Sequence, residues 1–207
     1  MELTKPTIIQ LLGQARAGKD FTAQSLKEYY ISKGYTVEIK SYAAPMKRIA
    51  AALFGISLEQ LDDFKNRTSD VSIEVYDNRN ILDRTTPSFQ LESNFRTFLQ
   101  LLGSDAIKPE FGNSVWADLM KLHIQQSDAD IIIIPDCRFT TELQTFPTSI
   151  TVRVINGSLE PPMDHASELE LLEYPVDFTV DNTDYKLTSE EVAHLAESIL
   201  KGPPNEN

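Results

Sequence analysis

Apolar residues fall along this chain in two rhythms. Short dense runs mark strands: Ile8-Ile9-Gln10-Leu11-Leu12, the four isoleucines Ile131 to Ile134, and Ser149 to Ile155. A run with little polar alternation is what a strand covered on both faces looks like. Tyr35 to Lys40 and Asp177 to Val180 read as shorter strands. Elsewhere apolar residues recur three and four apart, which predicts helices. Phe21 to Lys33 carries Leu26, Tyr29 and Tyr30 on one side, and Gly34 suits its end. A helix opening at Pro45 is predicted to bury Met46, Ile49, Ala50, Leu53 and Phe54 and to stop at Gly55. Ser57 and Gln60 fit a capping box for a short helix to about Phe64. Phe95, Phe98, Leu99 and Leu102 predict another, closed by Gly103. Beyond Asn113, Val115, Leu119 and Leu122 should point inward. Phe139, Leu143 and Phe146 suit a short helix, as do residues 167–173. Thr188 and Glu191 cap a closing helix that buries Val192, Leu195, Ala196 and Ile199.

Strand and helix alternate through most of the chain, so the expected fold is three-layered α/β: a parallel sheet with helices on both faces. One domain over residues 1–207 suits the length. Residues 66–92 break the rhythm. They are polar, with Asn78, Asn80 and Pro87 as turn residues and an alternating Val71 to Val75, which suggests an inserted flap or hairpin. Residues 202–207 read as a frayed tail.

The first strand runs into Gly13-Gln14-Ala15-Arg16-Ala17-Gly18-Lys19-Asp20, and a helix follows. Strand, glycine loop, lysine and helix is the build of a phosphate cradle, the P-loop. Backbone N–H groups converge on phosphate oxygens, the helix N-terminus adds positive potential, and the lysine reaches the outer phosphates. Asp20 stands where Ser or Thr is usual; a carboxylate is also a hard oxygen ligand for Mg²⁺. Asp136 ends the four-isoleucine strand with Arg138 two residues on, and ligands in parallel sheets collect at such strand ends.

Charge narrows the partners. A net charge of −12, from 31 acidic and 19 basic residues, argues against nucleic acid or an anionic membrane surface, though not against a small phosphate ligand. The single cysteine, Cys137, excludes an internal disulfide, suits a reducing cytosol, and reads as buried filler. No signal segment or membrane span is expected. Within this acidic chain Lys47, Arg48, Arg67, Arg96, Lys108 and Arg138 lie on separate elements and could face the loop as a second anion site. Arg96 begins a helix beside an apolar stripe, where a guanidinium can fork onto phosphate, and Gln100 shares its face.

The chain resembles the bacteriophage deoxynucleoside monophosphate kinases, a branch of the P-loop nucleoside monophosphate kinases. The matching stretches are Gly13 to Asp20 and Ser41 to Lys47; Phe98 to Asp105 with Lys108; Asp136 to Glu142; His165 to Glu168; and Asp177 to Asn182. The resemblance implies ATP-dependent phosphorylation of a deoxynucleoside monophosphate to the diphosphate, with Mg²⁺, in the (host) cytoplasm. Lys19 would hold the transferring phosphate, Asp20 and Asp136 would manage the metal, and Arg138 would neutralise developing charge. ATP would lie along residues 13–20, with Asn182 on the adenine side. Residues from about 42 to 100 would form the acceptor side. Tyr42 would border the base, Arg96 would clamp the acceptor phosphate, and Lys47, Arg67, Gln100 and Lys108 would support it. Residues from about 138 to 168 would close as a lid. Two readings stay open beside it: a P-loop kinase of a non-nucleotide phosphate such as phosphomevalonate, and a nucleotide-binding regulatory protein. Base preference and a homodimeric state are also open.

Overall fold

A computed structural model describes residues 6–66, 71–75, 89–93, 95–159 and 170–202. In chain order the elements are β1 (Thr7–Leu12), α1 (Lys19–Ser32), β2 (Val37–Ile39), α2 (Ala44–Phe54), α3 (Leu58–Asn66), β3 (Val71–Val75), β4 (Phe89–Ser93) and α4 (Phe95–Gln100). A π-helical stretch, Leu101–Ile107, leads to α5 (Lys108–Phe111). Then come α6 (Val115–Gln125), β5 (Ile131–Ile134), α7 (Thr140–Leu143), β6 (Ile150–Ile155), β7 (Phe178–Asp181) and α8 (Ser189–Lys201). Two compact units form: Met1–Tyr42 with Trp116–Asn207, and Ala43–Val115.

The first unit is an α/β P-loop fold. Its five-stranded sheet has the order β2-β5-β1-β6-β7, parallel throughout. The isoleucine run explains itself here. Ile131 and Ile133 join Ile9 and Leu11 in a core closed by Leu26 and Tyr30 of α1 and by Val192, Leu195 and Ile199 of α8. Ile132 and Ile134 face the other way, into a core with Leu12 and with Ala117, Met120 and Ile124 of α6. A strand sandwiched between helical layers has no polar face, so alternation vanishes. Each fully buried isoleucine contributes about 2 kcal/mol by area.

Chain crossings place the site. β1 leads over β5 to β2, whereas β5 leads past β1 to β6. Two neighbouring strands whose connections part in this way leave a crevice at their carboxyl ends. The glycine loop leaves β1 there, and Asp136 leaves β5 there.

Gln10, the polar residue inside the first apolar run, is fully buried. Its Nε2 donates to Leu143 O (3.2 Å) and Ser149 Oγ (2.6 Å). Its Oε1 accepts from Tyr42 Oη (3.3 Å) and Cys137 Sγ (3.0 Å). Buried polar groups persist when satisfied in this way.

The second unit has its own core: Ala50, Ala51, Leu61, Phe95 and Leu99, with Phe54 packed on Phe95 and Phe98 at centroid distances of 5.3 and 4.9 Å. Ser57 and Gln60 form the expected capping box. β3 and β4 pair antiparallel, Val71 opposite Ser93, within the stretch read as a hairpin; the rest of residues 67–88 lies outside the described residues.

Four sequence expectations need correction. On α2 the buried residues are Ala50 and Ala51, while Ile49 and Leu53 are 45 % and 64 % exposed. The small alanines let α2 approach its neighbours, and that turns the longer side chains out. On α6 Trp116, Ala117, Met120 and Ile124 are buried and Leu122 is exposed, a face turned from the expected Val115, Leu119 and Leu122. Gly103 does not end a helix: the chain continues as π-helix, and a Cβ there would stand 2.5 Å from Met46 Sδ. The expected helix over 167–173 is turn in its described part, residues 170–173.

Exposed carboxylates give the first unit a definite acid response. Thr36 donates from its N–H and hydroxyl to Asp130 Oδ2 (2.8 and 2.7 Å), which holds that carboxyl below its ordinary value of 3.8. Hydrogen bonds from Thr183 and Thr188 lower Asp181 and Glu191 likewise. A carboxyl depressed on folding stabilises the protein above its unfolded value, and that contribution disappears as pH falls through the folded value. The melting midpoint is therefore expected to be level from pH 7 to about 5 and to fall below about pH 4. Thermal denaturation across that range checks it; a midpoint rising below about pH 4 contradicts it.

Candidate active site

The glycine loop closes tightly on itself. Gly13 takes φ 140° and Gly18 φ 95°, both in the region that favours glycine. A Cβ at Gly13 would lie 2.3 Å from Val154 O, so the loop leaves β1 in backbone contact with β6. Ala17 N donates to Gln14 O at 3.1 Å. Lys19 begins α1 and folds back over the loop, its Nζ donating to Gly13 O (2.6 Å) and Gln14 O (2.9 Å). Its ammonium therefore stands over the loop. Gly18 caps α1 without a side chain, so no protein carboxylate or hydroxyl at that position competes for the helix start. Asp20 lies in the first turn, exposed.

Two residues far along the chain hold this loop in place. Asn182, fully buried, donates Nδ2 to Ala17 O (2.9 Å) and accepts from Leu187 N (3.3 Å). Tyr185 Oη donates to Arg16 O at 2.8 Å. Asp184 and Tyr185 take left-handed φ of 56° and 58° without glycine, which turns the chain back beneath the loop. Asn182 was expected on the adenine side; its side chain is spent on the loop backbone. Tyr185 carried no local signal in the sequence.

Across the crevice, the Asp136 carboxylate is aimed by Ser41 Oγ (2.6 Å to Oδ2) and Tyr42 N (3.0 Å to Oδ1). Glu142 caps α7 by accepting from Arg138 N (2.7 Å) and Phe139 N (3.2 Å), which fixes the chain that carries the exposed Arg138. Cys137 is buried as expected, and burial first, then the Glu142 and Asp136 carboxylates, push its thiol well above the ordinary range. It is not a nucleophile. Tyr42 has little face to offer a base: it is 3 % exposed, and its hydroxyl donates to Glu142 O (2.8 Å).

The remaining candidates belong to the second unit. Lys47 Nζ pairs with Asp62 at 2.7 Å. Gln100 ends α4, exposed, and Lys108 opens α5, half-buried. Arg96 lies in α4. Its side chain, Arg67 and His165 lie outside the described residues.

Among the described residues no cluster of three His, Cys, Asp or Glu marks an all-protein metal site. Mg²⁺ does not need one beside phosphates: it takes one or two carboxylates and completes its shell with phosphate oxygens and water. The donor set of Asp20 and Asp136 fits that chemistry. No described helix is long and apolar enough to cross a membrane.

No family model and no curated protein matches this sequence. Among solved structures the chain is similar to the APS kinase of Mycobacterium tuberculosis, at 8 % identity and TM-score 0.44, over 96 % of this chain and 99 % of that one. It is also similar to a proposed kinase from Chloroflexus aurantiacus, at 15 % identity and TM-score 0.48, over 97 % and 98 %.

Proposed function

We propose that this chain is an ATP-dependent kinase that phosphorylates a deoxynucleoside monophosphate to the diphosphate. The observation that carries the reading is the glycine loop with Lys19 leaving β1 beside Asp136 leaving β5, at the crevice where the chain crossings part. Phosphoryl transfer asks a protein for positioning and positive charge more than for covalent chemistry. The loop backbone and the start of α1 would bind the ATP phosphates, Lys19 would bear on the transferring group, and Arg138 would neutralise charge between donor and acceptor. Asp20 and Asp136 would hold Mg²⁺, which when bound screens the phosphate charge. The acceptor's nucleotide character is supported by the resemblance of residues 98–108 and 136–142 to the phage enzymes. Arg96, with Lys47, Arg67, Gln100 and Lys108, would serve its phosphate.

ADP release from ATP, measured against a panel of nucleoside monophosphates with and without the 2′-hydroxyl, tests the reading. At least one deoxynucleoside monophosphate is expected to raise release well above ATP alone. If none does, but phosphomevalonate does, the kinase stands with a different acceptor; if nothing does, the kinase reading is wrong. In the same assay Asp20→Ala is expected to lose most turnover, and Asp20→Ser to recover part of it with a shifted Mg²⁺ midpoint. A hydroxyl at this position is the commoner solution. Asp20→Ala turning over like the parent, at the same Mg²⁺ midpoint, would show the metal is held elsewhere.

A further inference from the structure

Backbone strain gathers at one contact beside the glycine loop. Among the described residues, three that are not glycine take a left-handed φ: Arg16 (65°), Asp184 (56°) and Tyr185 (58°). They come together where Tyr185 Oη donates to Arg16 O at 2.8 Å. Strain of this kind persists only where the surroundings over-determine it, and it clusters at functional sites. Here the surroundings do hold it. Tyr185 N donates to Asn182 O (2.9 Å) and Asp184 N to Asn156 Oδ1 (3.3 Å). The Asp184 carboxylate accepts from Ser158 Oγ and from Lys186 Nζ (2.8 Å). The Tyr185 ring is thus tethered at both ends, by its backbone and by its hydroxyl. It stands against the loop, since a Cβ at Gly18 would lie 3.7 Å from its Cδ1. Yet Tyr185 is 57 % exposed. A brace for the loop needs the hydroxyl; it does not need an aromatic surface held in water. Phe21, also exposed, lies in the first turn of α1 and has no polar group to tether it.

We propose that Tyr185 is the stacking face for the base of the nucleoside triphosphate whose phosphates the loop holds. The proposal rests on reading the glycine loop as a nucleotide site, and on no particular acceptor. Phosphates seated on the loop fix a nucleoside at one end, so its base comes to rest beside the loop. A ring already pinned there gives up little freedom when the base arrives. Offset stacking on tyrosine suits any base, and a purine, with the larger face, gains most. The base-side role expected of Asn182 falls instead to the residue three positions on, which the strained turn presents.

Inorganic tripolyphosphate is the probe, because it carries the phosphates without the base. The readout is the ratio of its Kd to that of ATP, both with Mg²⁺, measured by calorimetry on the full chain. Tyr185→Asn removes the ring, and asparagine tolerates the left-handed φ, so the turn is kept. The ratio should fall about tenfold, the scale of one base stack. Tyr185→Phe keeps the ring and loses the bond to Arg16 O. It should weaken both ligands alike and leave the ratio within about twofold of the parent. Phe21→Leu should leave the ratio there too. In proton spectra the adenine H2 and H8 signals should move upfield on binding to the parent and to Tyr185→Phe, and not to Tyr185→Asn. A ratio unmoved in Tyr185→Asn overturns the proposal. So does a ratio that falls as far in Tyr185→Phe, which would make the hydroxyl and the loop's position the cause, or as far in Phe21→Leu. A parent that shows the expected pattern yet turns over no acceptor defeats the kinase reading alone. A parent that binds neither ligand defeats the nucleotide reading of the loop, and this proposal with it.

Discussion

Lys19→Met is expected to leave a folded protein whose ATP turnover has fallen by about 10³-fold or more, roughly 4 kcal/mol of transition-state stabilisation. The ammonium stands over the loop, held by Gly13 O and Gln14 O, where a transferring phosphate would displace those carbonyls as its partners. Methionine keeps the length and the apolar stem but brings no charge. Neither carbonyl is left without recourse, since the loop is open to water, so the fold should lose no more than about 1 kcal/mol. Turnover and melting midpoint measured on the same preparation separate the two effects. Turnover within tenfold of the parent would show that the glycine loop is not where phosphate is transferred.

Gly13→Ala should act on the fold itself. Its Cβ would meet Val154 O at 2.3 Å, and that oxygen belongs to a strand paired through Leu11 with Val152 and Leu12 with Arg153. The carbonyl cannot swing aside as a side chain could, so β1 and β6 must part where the loop begins. The left-handed φ of 140° adds strain for any residue with a Cβ. A loss of about 3–5 kcal/mol is expected, or roughly 10 °C in melting midpoint. Gly34→Ala is the control. It has a similar positive φ of 92° but nothing within 4 Å of the added carbon, so it should lose only about 1 kcal/mol. Equal losses at the two positions would mean that strain, and not the contact with Val154, sets the cost.

What the sequence disclosed follows from what local patterns encode. The doubly buried β5, the loop motif and the two capping boxes at Ser57 and Thr188 each lie within a few residues, and each was legible. The closing helix also buries the expected Val192, Leu195, Ala196 and Ile199, but the faces of α2 and α6 were not legible. Spacing on α2 and α6 announces a helix, but only packing decides which side turns inward, and small Ala50 and Ala51 won over Ile49 and Leu53. Gly103 read as a stop because a glycine in a helical run usually is one; its actual work is to make room for Met46, a distant residue. Tyr42 drew attention as an aromatic beside a motif, yet its hydroxyl belongs to the buried network around Gln10. The loop's supports, Asn182 and Tyr185, lie some 165 positions beyond it, where no local rhythm could connect them.

That distant support makes the last part of the chain a component of the phosphate loop. Asn182 and Tyr185 reach Ala17 and Arg16 from the segment that joins β7 to α8, and α8 in turn closes the core over α1, with Tyr30 Oη donating to Ala196 O at 3.1 Å. Loop, first helix and last helix are thus tied by direct bonds and a shared core, and they are expected to open together. A nucleotide seated on the loop would slow hydrogen exchange in residues 182–199 as well as in residues 13–20. Cutting the chain ahead of β7 would not trim an appendage; it would dismantle the cradle from behind.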